Sequence, residues 1–246
     1  MKFLLVTDLD NTLVGDDRAT FSLNQKLLSL RDEVCLVYAT GRSYPSAQRL
    51  KHERQLLEPD YWITGVGTEI YRRGKSDQTW ASQLSHDWDR RAIVSITQSF
   101  RDLVFQPASE QNPRKISFYL DSENADAILS NLQAELDRAG LSAQVVFSSN
   151  QDVDILPRRG DKGLAMTYLR EQLQVRSDAT LVCGDSGNDI SLFQQSTLGV
   201  IVGNARSELL NWHRQHGQSY HYRAQANYAW GILEALVHFN LWDADF

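Results

Sequence analysis

The chain has 246 residues, 42% of them hydrophobic and 23% charged, with a formal net charge of −6. That balance excludes a disordered or low-complexity chain, and the acidic surplus argues against a nucleic-acid partner, which would need a basic face. No apolar stretch approaches the roughly 20 residues that span a bilayer, and Asp8 and Asp10 interrupt the N-terminal apolar run too early for a secretory signal. The expectation is therefore a cytoplasmic protein with no membrane partner. Cys35 and Cys183 both lie inside apolar runs, which suits buried reduced thiols better than a staple.

In chain order, the run Phe3-Leu4-Leu5-Val6-Thr7 reads as a buried strand, central and parallel, ending at Asp8-Leu9-Asp10-Asn11-Thr12. Residues i and i+2 of an extended chain share a side, so Asp8 and Asp10 can face one cleft. Two acids so close repel unless a cation or a proton satisfies them. Taken alone, the pentapeptide reads equally well as a strand-ending turn. Residues 11–20 read as an irregular loop folded over the strand end. Ser22 with Gln25 has the form of a capping box, predicting a helix that carries Leu27, Leu28 and Leu30. A second buried strand covers residues 34–39 and ends in Thr40-Gly41-Arg42-Ser43. Ser43 and Pro45 open a helix from Ala47 to about Leu57. Residues 60–64 form a third strand, and residues 65–71 turn back from it as a hairpin.

The polar stretch Arg72-Arg73-Gly74-Lys75-Ser76-Asp77 marks an exit from this first unit. Ile93, Ile96, Phe100 and Leu103 mark one helix face. Residues 115–120 alternate as a strand. Asn124 caps a second amphipathic helix that Gly140 ends, and residues 145–147 and 153–156 are two more strands. This helix-strand-helix-strand-strand order predicts an open-faced sheet with its helices on one side. From Arg158 the alternation resumes: Lys162-Gly163 before a helix, a buried strand over residues 179–183 ending in Gly184-Asp185-Ser186-Gly187-Asn188-Asp189, a helix with Ile190, Leu192 and Phe193, and a fifth strand over residues 198–202. Such alternation means a doubly wound parallel sheet, which binds ligands beyond the carboxyl ends of its strands.

Asp8, Thr40 and Asp185 each follow a separate predicted strand and Lys162 lies near a helix start, so all four gather at one sheet edge. The chemistry that needs this set is phosphoryl transfer to a carboxylate. Mg²⁺, held by Asp8, the Asp10 carbonyl and Asp185, would offset the charge of a phosphate monoester, with Asp189 orienting the metal shell. Thr40 and Lys162 would donate to phosphate oxygens, joined by Asn188, while Asp10 would protonate the leaving oxygen. Arg42 and Glu69 stand near the presumed crevice as candidate substrate contacts, beside the backbone of Gly41. Lys115, Tyr119 and Asp152 read first as solvated strand residues, with Lys115 kept as a candidate sugar contact. Among the tryptophans, Trp62 and Trp230 are expected in the core, with Trp80 and Trp88 flanking the middle unit.

These motifs resemble the haloacid dehalogenase superfamily, whose opening DxDxT/V is matched by Asp8-Leu9-Asp10-Asn11-Thr12. Its second motif is matched at Thr40, its third at Lys162, and its fourth over Gly184-Asp185-Ser186-Gly187-Asn188-Asp189. The resemblance implies a Rossmannoid α/β core (residues 1–80 and 159–246), an inserted α/β cap of the sugar-phosphatase branch (residues 81–158), Asp8 as nucleophile, and Mg²⁺. Val66-Gly67-Thr68-Glu69-Ile70, Asp152-Val153-Asp154-Ile155-Leu156-Pro157 and Tyr228-Ala229-Trp230-Gly231-Ile232-Leu233-Glu234-Ala235-Leu236 narrow it toward the sucrose-phosphate phosphatase family, without the extra C-terminal domain of plant members. Its implied substrate is sucrose 6F-phosphate. The implied assembly is a monomer in transient contact with an enzyme that forms sucrose phosphate. Other readings keep the core and change the substrate or the reaction. They are a phosphatase of mannosylglycerate phosphate, trehalose 6-phosphate or a phosphohexose, and a phosphomutase. A non-catalytic phospho-sugar sensor is the reading from another class, and the second acid, Asp10, argues against it.

Overall fold

The structure, a computed structural model, describes residues 2–241. Strand β1 (Phe3–Thr7) is buried at every position because both of its faces are covered. The chain continues through α1 (Asp17–Ser29), β2 (Val34–Ala39), α2 (Tyr44–Glu53), β3 (Tyr61–Thr64), the short strands β4 (Glu69–Arg72) and β5 (Lys75–Ser76), and α3 (Gln78–Ser85). It then runs through α4 (Arg90–Thr97), β6 (Val104–Phe105), β7 (Ile116–Tyr119), α5 (Ala125–Arg138), β8 (Ala143–Ser148) and β9 (Asp152–Pro157). The return carries α6 (Lys162–Gln172), β10 (Thr180–Gly184), α7 (Ile190–Phe193), β11 (Leu198–Ile201), α8 (Ser207–His216), β12 (His221–Arg223) and α9 (Tyr228–His238).

The larger sheet has the order β12-β11-β10-β1-β2-β3-β4-β5, parallel from β12 to β3 and closed at the far edge by the antiparallel β4 and β5. Alternation along β1 sends Phe3 and Leu5 into one helical layer, with Leu23 and Leu27 of α1 and Ile232 and Leu236 of α9. Leu4 and Val6 enter the other, with Met166 and Leu169 of α6 and Trp80 and Leu84 of α3. An all-apolar strand is what a two-layered cover requires. The smaller sheet, β6-β7-β9-β8, is antiparallel. Its Ile116, Phe118, Val153 and Ile155 pack with Ile93 of α4 and with Leu132 and Leu136 of α5. The alternate residues, among them Lys115, Tyr119, Asp152 and Asp154, line a cleft shared with Asp8. This is the open-faced sheet expected from the strand pattern.

Several local expectations need correction. Helix α1 starts at Asp17, inside the segment read as irregular, because the Asp16 carboxylate caps it by accepting the amides of Arg18 and Ala19. Ser22 and Gln25 lie within the helix and form no cap. Helix α2 stops at Glu53, four residues short of the predicted end. Helix α3 and the two-residue, exposed edge strand β6 were not predicted. By its packing α3, which straddles the expected boundary at residue 81, sits on the core. Trp230 is 41% exposed rather than in the core, whereas Trp62 is buried. Helix α5 ends as expected before Gly140, whose φ of +71° is the left-handed stop that glycine accepts.

Gly67 is needed for two reasons: its φ is +100°, and a Cβ there would lie 2.1 Å from the Asp161 carbonyl carbon and 2.5 Å from the Lys162 amide nitrogen. Gly67→Ala should cost about 3 kcal/mol through backbone strain and overpacking. Urea unfolding reads this directly, and an unchanged midpoint would contradict the packing argument.

Candidate active site

Because β1 lies between β10 and β2, the residues after these three strands meet at one edge. Asp8 follows β1, Thr40 follows β2 and Asp185 follows β10, as the sequence spacing predicts. Lys162 arrives from the opposite direction as the first residue of α6, fixed there by the Asp161 N-cap, whose carboxylate accepts the Leu164 amide at 2.8 Å. The turn after Asp8 is closed by the Leu13 and Val14 amides, which both donate to the Leu9 carbonyl, with Asn11 left-handed at φ 61°. It brings the Thr12 hydroxyl to Asp185 Oδ1 at 3.1 Å.

Lys162 is wholly buried, and its ammonium donates to Asp8 Oδ1 and to Asp189 Oδ1, both at 2.7 Å. The second oxygen of Asp189 accepts the amides of Asp185 and Ser186, each at 3.0 Å. Asp189 therefore spends both oxygens on holding Lys162 and the loop. Asp185 differs: its Oδ2 is buried with no hydrogen-bond partner among the described residues. Burial, the largest influence, would lower the proton affinity of Lys162, but Asp189 and Asp8 outweigh it and hold the ammonium charged. Burial raises Asp8 well above the usual carboxylate range against the pull of Lys162, and the neighbouring acids add to the rise. Burial, then Asp189, pushes Asp185 up to about 7. The three acids each offer an oxygen within 4.8 Å of one another, and an orphaned buried carboxylate oxygen among hard oxygen donors fits a divalent cation.

At the rim, Arg42 grips Asp10 with both arms, Nε to Oδ2 at 2.6 Å and Nη2 to Oδ1 at 2.7 Å, and gives Nη1 to the Ser46 hydroxyl. This fork-to-fork pairing of two predicted substrate-facing residues was not foreseen. The cleft has a volume of about 400 Å³ and is lined by Asp8, Asp10, Thr40, Gly41, Arg42, Asp185 and Asn188 on the core side. Lys115 lines it from the other sheet, and it is buried rather than solvated, donating to Ser117 Oγ at 2.6 Å and Asp154 Oδ1 at 3.1 Å. Lys162 and Asp189 lie beneath this lining, behind Asp8. Glu69 is not brought into the cleft: it accepts from the Thr64 hydroxyl and lines a neighbouring one with Tyr44 and Tyr71. Sequence reasoning missed Asp154, for which an acid between Val153 and Ile155 was the available signal. It also missed Gln106, Glu110 and Ser148, which sit on a loop or a strand end and carry no periodic signal.

Replacing Lys162 with Met would leave Asp8 and Asp189 buried without their cation. Lys162→Met should destabilise the metal-free protein by about 3–5 kcal/mol at neutral pH, measured by urea unfolding in chelator. A midpoint equal to wild type would remove Lys162 from the centre of the site.

Residues 1–240 match the family described as sucrose-6F-phosphate phosphohydrolase. Sucrose-phosphatase 2 of Nicotiana tabacum is 37% identical over 98% of this chain, and the chain spans 60% of that protein's length. Mannosylfructose-phosphate phosphatase of Agrobacterium fabrum is 36% identical over 97% of both chains. The sucrose-phosphatase of Synechocystis, solved with sucrose and phosphate, superposes with a TM-score of 0.95 at 49% identity, over 97% of this chain and 98% of that one. Haloacid dehalogenase-like hydrolases of lower identity share the fold. With the four motifs in their order along one sheet edge and a match that spans nearly all of its residues, the chain belongs to the sucrose-6F-phosphate phosphohydrolase family of the haloacid dehalogenase superfamily.

Proposed function

We propose that the chain hydrolyses sucrose 6F-phosphate to sucrose and phosphate through an aspartyl-phosphate on Asp8, with Mg²⁺ as cofactor. The observation that carries this reading is a carboxylate fixed 2.7 Å from a buried ammonium, at the floor of a cleft whose opposite wall is the polar face of the smaller sheet. The family match supports it, as does the Synechocystis relative that holds sucrose and phosphate.

Lys162 takes Asp8 Oδ1 and leaves the other oxygen to attack phosphorus. The bond to Asp8 forms as the bond to the sugar oxygen breaks, and Asp10 gives the leaving oxygen its proton. Asp10 then takes a proton from the water that hydrolyses the acyl phosphate. Arg42 grips Asp10 with two hydrogen bonds before substrate arrives; a phosphate drawing the guanidinium away would turn Asp10 toward the leaving oxygen. Mg²⁺, held by Asp8, the Asp10 carbonyl and Asp185, would neutralise the charge that makes a phosphate dianion repel Asp8. Asp189 acts one step back, orienting Lys162 and the Asp185 backbone. Thr40, Gly41 and Asn188 lie where phosphate oxygens need donors, and Lys115 lies where sugar hydroxyls would reach. A cleft of about 400 Å³ is within the range of roughly 300–1,000 Å³ usual for small-molecule sites and has room for a disaccharide phosphate. The Agrobacterium relative, matched over nearly its whole length, favours a second reading in which a mannosylfructose phosphate is the substrate.

A panel of sucrose 6F-phosphate, mannosylfructose phosphate, trehalose 6-phosphate and fructose 6-phosphate, with Mg²⁺ or with chelator, tests both readings. Sucrose 6F-phosphate should lead, and fructose 6-phosphate should lose at least ~10²-fold in kcat/KM, about 2.7 kcal/mol of transition-state binding. Equal turnover of the monosaccharide phosphate would defeat the disaccharide assignment, and full activity in chelator would defeat the metal. Asp8→Asn should fold and show no turnover, since the amide is nearly isosteric but does not attack phosphorus. Steady hydrolysis by that variant would move the nucleophile elsewhere.

A further inference from the structure

Strands β8 and β9 are joined by the three residues 149–151, of which Ser149 and Asn150 are left-handed at φ 57° and 58°, with the Gln151 amide donating to the Ser148 carbonyl at 3.2 Å. A short hairpin connection with two left-handed residues is stiff and matched to the strand twist. Its tip rests on the loop after β10. The Asn188 amide group donates to Ser148 Oγ at 3.3 Å, and a Cβ at Gly187 would stand 2.1 Å from the Phe147 carbonyl oxygen. Gly187 is not left-handed; it is glycine because the backbone of the smaller sheet passes directly over it. Glu208, in the first turn of α8, completes the seat: its Oε1 accepts the Ser149 amide at 3.0 Å, and its Cγ would lie 3.0 Å from the same Gly187 Cβ. The residue before α8, Arg206, donates its amide to the Asp185 carbonyl at 2.7 Å. One short piece of α8 thus ties the hairpin tip to the backbone of Asp185.

We propose that Glu208 is a positioning residue, which seats the β8–β9 hairpin tip on the Gly187 loop and so sets how the polar sheet face stands over Asp8. A charged acceptor on a backbone amide is among the stronger single contacts. It is also placed where the smaller sheet meets the loop that carries Asp185, and Glu208 itself is not among the residues that line the cleft. The kinetic arm of this proposal rests on the reading of the cleft as a sugar-phosphate site; the exchange arm does not.

The test uses Glu208→Ala and Glu208→Gln in the whole chain. Losing the acceptor should speed amide hydrogen exchange at Ser149 about tenfold, and Gln, which keeps an oxygen in place, should restore most of the protection. KM for sucrose 6F-phosphate should rise about fivefold to tenfold in Glu208→Ala with kcat within about twofold, because one ordering contact is lost and no reacting group is touched. Hydrolysis of p-nitrophenyl phosphate, a probe too short to span from Asp8 to the smaller sheet, should be unchanged. Gly187→Ala should release the Ser149 amide by the steric route, which keeps the exchange arm decisive if Glu208→Ala folds poorly. Wild-type exchange at Ser149 in both Glu208→Ala and Gly187→Ala would overturn the proposal, as would equal loss on sugar and aryl phosphates. If the wild-type chain turns over no sugar phosphate, the functional reading fails while the exchange result still decides the seat.

Discussion

The ammonium of Lys162, buried between Asp8 and Asp189, is the interaction on which the site depends. Taking a carboxylate out of water costs several kcal/mol, and this sheet edge buries Asp8, Asp185 and Asp189 together. Lys162 offsets two of them directly, and backbone amides satisfy the far side of Asp189. Asp185 is left in deficit, which is why its orphan oxygen and its raised proton affinity occur together. The same deficit is what gives a hard cation a reason to bind. Stability and function pull against each other here, since a better-neutralised cluster would be a poorer metal site.

The opposite wall solves a different problem with the same means. Lys115, Ser117 and Asp154 form a closed group beneath the smaller sheet, with Ser117 Oγ at 2.5 Å and Lys115 Nζ at 3.1 Å from one Asp154 oxygen. A buried, internally paired group adds little net field and so neither repels nor captures a phosphate. It presents fixed donors and acceptors, which suits hydroxyl recognition. Charge is thereby concentrated at the core edge and hydrogen-bonding capacity at the other wall, with Arg42 and Asp10 on the rim between them.

What the sequence made legible follows from period and position. The buried strands, their order, and Asp8, Thr40, Lys162 and Asp185 at one edge all follow from apolar runs ending in polar residues, because a parallel sheet turns chain order into spatial convergence. Glu69 misled because, although it pairs with Thr64 at the end of β3, its carboxylate accepts that residue's hydroxyl and lines a neighbouring cleft with Tyr44 and Tyr71. Ser22 with Gln25 misled because a capping box is local, whereas Asp16 won the cap through a turn whose closure depends on Leu9 and Leu13. Trp230 misled because α9 buries the neighbouring stripe of Ala229, Ile232 and Leu236, leaving the tryptophan on its outer side. The grip of Arg42 on Asp10 spans 32 residues and rests on sheet order as much as on either motif, so neither segment carries it alone.

Division of labour between the two walls explains why members of one family can bear different substrate names on a shared core. On the proposed reading Asp8, Lys162 and Asp185 would act on phosphorus and its oxygens, which every phosphate monoester presents alike, so nothing in that set distinguishes one sugar from another. Discrimination would then have to come from contacts made at a distance from those atoms. Contacts of that kind need a wall held in place, and the hairpin tip lying on Gly187 holds one: it sets the polar face of the smaller sheet against the loop that carries Asp185. Residues on the open face of the smaller sheet can then change with the sugar while the seat and the edge stay as they are.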